Sequence, residues 1–146
     1  MPIEPRPYRH GDAALVPVDE ADPFGFWLVE IEAHAKGLTS YWLDDLLVAV
    51  SGYQLLWTGV ADAFALINRP LVRGHGGELA AVVKARILEL MARDALHRVQ
   101  ATSDCADRQS QVFLRATGYR QESRMRCAAP DGTDLFLYAI TRSPRP

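Results

Sequence analysis

Leu79, Val82, Val83, Ile87, Leu90 and Met91 recur at three- and four-residue spacing, while Lys84, Arg86, Glu89 and Arg93 take much of the remaining circumference. One apolar stripe and one wet face predict a long amphipathic helix whose stripe is core and carries no chemistry. The surrounding stretch, Asn68 to Ala95, reads as a strand end, a tight glycine-rich loop and that helix. The other patterns arrange themselves around it.

Ile3 to Arg9 carries prolines that push each preceding residue towards extended geometry, so it predicts an edge strand at most. Asp12 is placed to cap a short helical turn, and Val16 to Pro23 is irregular. Phe24 to Ala35 predicts a helix ended by Gly37, and Thr39 or Ser40 a further helical turn through Trp42, Leu43 and Leu46. Leu46 to Val50 and Tyr53 to Val60, separated by Ser51-Gly52, predict a hairpin, with Asp62 to Ile67 as a third strand. Beyond the long helix, Val99 and Ala101 alternate with polar neighbours in a strand from His97 to Thr102. A helix capped by Asp104 or Asp107 and stopped by Gly118 follows. Tyr119 to Cys127 and Asp134 to Ile140 are strands around the Pro130-Asp131-Gly132 turn, and the tail from Arg142 reads as loose. Strand, helix, strand across Ala63 to Thr102 implies a parallel crossover, and the hairpins imply antiparallel pairs. The result is an α/β (α+β) fold: a mixed sheet with helices on its faces.

The loop Pro70-Leu71-Val72-Arg73-Gly74-His75-Gly76-Gly77 is where chemistry enters. Its glycines admit positive φ and close approach of another group. The first N–H groups of a helix have no partner within it and sit at the positive end of its dipole, so a loop leading into a helix can receive a phosphate. The same glycines also suit a plain turn.

Composition narrows the function classes. A chain of 146 residues points to one domain with a core of its own. With 49% apolar and 23% charged residues and a net charge of −2, it gives no electrostatic case for nucleic acid or an anionic membrane as partner. No apolar run reaches the roughly 18 residues of a membrane span, and no signal core opens the chain, so a cytoplasmic or virion location, not secretion, is expected. Cys105 and Cys127 lack metal-like spacing and read as free thiols, and the four histidines form no ligand motif, so no metal is expected.

From Asp62 onward the chain resembles a GNAT-family N-acetyltransferase. Pro70, Arg73 and Gly76 fit that family's central loop (Arg or Gln, two residues, Gly, one residue, then Gly or Ala), and Gly74 suits its commoner form. Gly118-Tyr119 resembles the Gly-Phe that closes its last helix, and Arg6-Pro7 followed by Asp12 resembles its opening strand and turn. The run through Glu122, Arg124-Met125-Arg126, Asp131-Gly132, Asp134 and Tyr138-Ala139 resembles the phage- and prophage-encoded type. The resemblance implies a mostly antiparallel sheet of about six to seven strands, a central splayed parallel pair, and helices on both faces. Residues 1–61 would form the acceptor side, residues 62–140 the acetyl-CoA half, and residues 141–146 a tail. Acetyl-CoA is then the cofactor: Arg73, Gly74, His75, Gly76 and Gly77 would line its phosphate site, and Ala65, Leu66 and Ile67 the edge beside its pantetheine.

Three positions depart from the family pattern. Glu78 replaces the loop's final small residue; its carboxylate either repels phosphate or serves as a favourable acid in the first helical turn. Leu114 stands where a tyrosine commonly serves as general acid, and Asp107 where an asparagine is usual. Cys105, nearby, reads as a small buried residue. Asp62, Glu78 and His75 are the catalytic candidates, with His97 beside them as a further possible base. Two readings stay open. One is transfer of acetyl to a small-molecule or protein amine. The other is a catalytically degenerate, phage-type structural module that binds protein partners or copies of itself, with Phe24, Phe26, Trp27, Tyr41 and Trp42 serving as core or as contact patch.

Overall fold

The computed structural model describes residues 2–17 and 27–143. Among the described residues seven strands form one sheet, numbered in chain order and arranged β1-β2-β3-β4-β5-β7-β6. The strands are β1 Ile3–Pro7, β2 Lys36–Leu43, β3 Leu46–Trp57, β4 Val60–Ile67, β5 Arg98–Asp104, β6 Arg120–Met125 and β7 Leu135–Thr141. The helices among the described residues are α1 Trp27–His34, α2 Arg69–Val72, α3 Gly76–Arg93 and α4 Arg108–Ala116. Every neighbouring pair is antiparallel except β4 and β5, which run parallel across the α3 crossover. This is the mixed, mostly antiparallel sheet with one central parallel pair expected above.

The apolar stripe of α3 does what its spacing implies. Leu79, Val83, Leu90 and Met91 are buried against one face of the sheet. Leu90 and Met91 pack with Ala61, Val99, Ala101, Tyr138, Tyr119 and Leu114 of α4. Nearer the start of α3, Leu79 and Val83 pack with Tyr41, Val48 and Val72. Val16, Leu47 and Val50, joined by Leu66 and Trp42, pack separately from these, beside the short 3-10 turn Asp12–Leu15. α1 is tied to that turn by Glu32, which accepts hydrogen bonds from the Tyr8 hydroxyl and, at 2.8 Å, from the Gly11 N–H.

Several expected elements differ. Ser51-Gly52 is no turn: β3 runs unbroken through it for 12 residues. Gly52 is small because Leu38 and Phe64 crowd the space where its Cβ would stand, at 2.9 and 3.0 Å. The reversal falls at Thr58-Gly59, where Gly59 has φ +79° and the His97 ring lies against it. Lys36–Leu43 is a strand, not a loop with a helical turn at Thr39 or Ser40. Its aromatic and β-branched residues suit a pleated, half-buried surface, and Thr39, Ser40 and Tyr41 are all buried there. Gly37 therefore lies inside β2 at φ +62°, and α1 ends earlier, at His34. Asp12 opens the 3-10 turn rather than capping it; its Oδ2 accepts from the Arg9 N–H and the Ser40 hydroxyl. The tail is anchored at Arg142, whose guanidinium donates to the carbonyls of Leu96 and Met91 at 3.0 and 2.8 Å. Phe24 and Phe26 lie outside the described residues. Tyr41 is core, and Trp42 is half-buried beneath the Arg6 guanidinium.

Candidate active site

β4 and β5 are joined by three register pairs, Val60 with Arg98, Ala61 with Val99 and Asp62 with Gln100. Past that rung the pairing stops, although β4 continues to Ile67 and β5 to Asp104. β4 stays bound on its other edge to β3, where Ala65, Leu66 and Ile67 pair with Ser51, Val50 and Ala49. β5 stays bound to β7. Each strand follows its antiparallel neighbour, so a wedge opens between them. The edge of β4 from Ala63 to Ile67 faces this wedge without a strand partner among the described residues.

The chain leaves β4 through a device that the glycine pattern does not reveal. The Asn68 side chain accepts the Leu71 N–H and caps the one-turn helix α2, with Pro70 in its first turn. Gly74 then takes φ +85°, and the His75 N–H donates to the Val72 carbonyl at 2.7 Å. Leu79 N–H to His75 C=O, at 2.9 Å, is the first backbone bond of α3. The N–H groups of Gly76, Gly77 and Glu78 precede it and have no partner within the helix. Around Gly74, Gly76 and Gly77 nothing lies within 4 Å of where a Cβ would stand, so the space above these amides is open. Arg73 is exposed beside them and forms no ion pair among the described residues. Free amides at a helix start, an open approach and an unpaired guanidinium together suit an anion.

The Glu78 carboxylate is occupied elsewhere. It accepts the Ile3 N–H and so ties the edge strand β1 to the first turn of α3. Its other oxygen lies 3.6 Å from His75 Nδ1. Of the two readings of Glu78, this geometry favours the first-turn acid. Ile3 is buried under the same helix, beside Leu79 and Val83.

Asp62 sits at the vertex of the wedge. Burial holds its carboxyl above the usual carboxylate range, and a hydrogen bond from Gln100 only partly opposes this. Arg98 Nε donates to Gln100 Oε1 at 3.1 Å and its guanidinium pairs with Glu122, so the Gln100 amide nitrogen is the end left for Asp62. A carboxyl held above its ordinary value at a cleft vertex is suited to taking a proton. His97 lies at the other end of the strand pair, against Gly59, and is not brought to the wedge.

The two lips of the wedge are bridged by residues whose pairing the sequence pattern does not show. Asp107 caps α4 by accepting the Ser110 N–H, and Arg69, at the start of α2, donates to both its carboxylate oxygens. Burial works against ionisation of Asp107, but Arg69 and the Ser110 N–H together hold its carboxyl below its ordinary value. Leu114 is buried in the core with Tyr138 and Tyr119 and offers no proton. Cys105 is half-buried, and Cys127 is exposed. Among the described residues no cluster of three His, Cys, Asp or Glu could hold a metal ion, and no helix is long and apolar enough to cross a membrane.

No family model and no curated protein matches this sequence. Solved structures do match the fold. A GNAT-family acetyltransferase from Bacillus anthracis superposes with a TM-score of 0.71 at 16% identity, over 97% of this chain and 95% of its own. RimJ from Mycobacterium smegmatis, solved with a CoA disulfide, gives 0.70 at 21% identity over 99% and 84%. The protein yncA from Salmonella typhimurium, solved with its cofactor acetyl-CoA, gives 0.69 at 10% identity over 95% and 93%. The splayed parallel pair, the amide-lined loop and these superpositions agree: the chain has the fold of the GNAT acetyltransferases.

Proposed function

We propose that the protein transfers an acetyl group from acetyl-CoA to an amine. The observation that supports this most is the wedge between β4 and β5, with the partnerless amides of Gly76, Gly77 and Glu78 near its mouth. These amides, with Arg73, Gly74 and His75 around them, would hold the pyrophosphate. The unpaired edge at Ala65, Leu66 and Ile67 would run beside the pantetheine. Asp62 would take the amine proton at the vertex. Bound there, acetyl-CoA supplies the activated acyl group, and the chain orients it, keeps the reacting atoms together and moves the proton. A small-molecule amine and the amine of a protein both fit this chemistry.

The reading is tested by incubating the protein with acetyl-CoA and a panel of polyamines, aminoglycosides and peptide N-termini while free thiol is followed. Amine-dependent thiol release with a matching acetylated product supports it. If acetyl-CoA binds but no amine accelerates thiol release, the chain is a coenzyme-binding or structural module on the same fold, the phage-encoded kind included.

A further inference from the structure

We infer that Glu122 and Arg98 are positioning residues for Asp62, acting through Gln100 to fix which end of its amide faces the carboxyl at the wedge vertex. The role rests on the acetyl transfer proposed above, in which Asp62 takes the amine proton. Arg98 and Gln100 stand two apart on β5 and so share a face, and Asp62 joins it as the register partner of Gln100. Glu122 reaches the same face from β6, the outer strand beyond β7. It is the extra residue of a bulge: Gln121 pairs with Tyr138 and Ser123 with Leu137, and Glu122 has no register partner on β7 between them. Bulges re-aim side chains. Here the carboxylate meets Arg98 across β7, whose residue opposite Gln100 is the small, buried Ala139. Arg98 then uses its whole fork. Its outer nitrogens donate to Glu122 at 3.0 and 2.7 Å, and Nε donates to Gln100 Oε1 at 3.1 Å.

An exposed cross-strand ion pair contributes little to stability, so its use here lies in orientation. A guanidinium has donors and no acceptor, so Nε faces the oxygen end of the Gln100 amide and never its nitrogen end. The nitrogen end is thereby turned to Asp62. That matters to a base. Burial favours the protonated carboxyl, which cannot take a proton, whereas an N–H from Gln100 favours the ionised form. With the amide reversed, its oxygen would face Asp62 and favour the protonated form instead. The bridge from Glu122 to Arg98 thus keeps the carboxylate available at the vertex. The surroundings of Asp62 leave this control to β5. Its register partner on β3 is the uncharged Gln54, and the buried Tyr119 phenol, which feels the Asp62 charge, has its own ionisation pushed further up.

A test that needs neither coenzyme nor acceptor titrates the Asp62 carboxyl by carbon NMR, its signal assigned by loss in Asp62→Asn. The proteins compared are wild type, Glu122→Gln, Arg98→Met, Arg98→Lys, Gln100→Leu and the double variant Arg98→Met with Gln100→Leu. The Asp62 midpoint is expected to rise by about one pH unit in Arg98→Met, the scale of one hydrogen bond to a charged group. Glu122→Gln should shift it in the same direction by less. Arg98→Lys keeps the charge but not the fork, so it should behave like Arg98→Met. The double variant should match Gln100→Leu, because Arg98 acts only through that amide. A wild-type titration in Arg98→Met would overturn the inference, and a loss of stability without a shift would mark the bridge as structural. A wild-type titration in Arg98→Lys alone would show charge at work and not orientation, and additive shifts in the double variant would also contradict the relay. Failure of wild type to release thiol with any amine would instead overturn the acetyl-transfer reading, and with it the claim that the relay serves a base.

Discussion

Gln100 is both the partner of Asp62 in the last rung joining β4 to β5 and the donor of a hydrogen bond to its carboxyl. Strand divergence and proton chemistry thus meet at one pair of residues. Asp62→Asn keeps the shape and an acceptor for Gln100 but cannot take a proton. The variant is expected to lose about a hundredfold in kcat with any accepted amine, while its acetyl-CoA dependence is unchanged. The stability sign is the opposite. Burial raises the folded-state pKa of Asp62, so the native state binds this proton more tightly than the unfolded chain. That contribution is present below the unfolded pKa and lost as pH rises through the folded one. Asp62→Asn should therefore match or exceed wild type in urea midpoint at neutral pH, with the gap closing on acidification.

Glu78 holds β1 to α3 through the Ile3 N–H. Glu78→Ala strips the acceptor from a half-buried amide and should lower stability by about 1–2 kcal/mol, with faster hydrogen exchange at Ile3. Glu78→Gln, which keeps an acceptor oxygen, should recover most of the loss. Equal exchange at Ile3 in all three proteins would show that the contact is not formed.

The Arg69–Asp107 bridge carries a separable cap and charge. Asparagine caps as well as aspartate does, so Asp107→Asn tests the charge, and Asp107→Ala tests both, at about 1 kcal/mol for the cap alone. The folded-state pKa of Asp107 is lowered, so its contribution is present above the unfolded value of about 3.9 and lost as pH falls through the folded one. The urea midpoints of wild type and Asp107→Asn should converge only in acid, below about pH 4. A gap that persists unchanged at the lowest accessible pH would contradict the ion pair.

Gly74 has φ +85° but open space around it, so Gly74→Ala meets backbone strain and no clash. A loss of about 1 kcal/mol is expected in a thermal melt. Gly76 has ordinary φ and the same open space, so Gly76→Ala should change the midpoint little.

Much of this molecule is legible in its residues, for identifiable reasons. The α3 stripe, the Asp107 cap, the Gly118 stop and the Pro130-Asp131-Gly132 turn are local signals, decided within a few residues. Misreadings arose where tertiary packing set the outcome. Ser51-Gly52 carries turn chemistry, yet Gly52 is small for the sake of Leu38 and Phe64, side chains distant in sequence. Thr39 and Ser40 suggest the cap of a helical turn through Trp42, Leu43 and Leu46, yet Lys36–Leu43 is a strand, where its aromatics belong. At the site, the loop and Asp62 are visible in the sequence. The clasp from Arg69 to Asp107 and the bridge from Arg98 to Glu122 are not, because each depends on residues tens of positions apart.

The amide-lined loop is the centre of this account, and a thermal titration with acetyl-CoA probes it most directly. Ligand at about a hundred times its dissociation constant stabilises by about 2.7 kcal/mol, which for a chain of this size raises the midpoint by about 5 °C or more. Wild type should show that rise. Gly76→Glu, whose new carboxylate projects into the open space above the amides, should melt like wild type without ligand and show no rise with it. An unchanged wild-type midpoint at millimolar acetyl-CoA, or an equal rise in Gly76→Glu, would contradict the assignment of this loop.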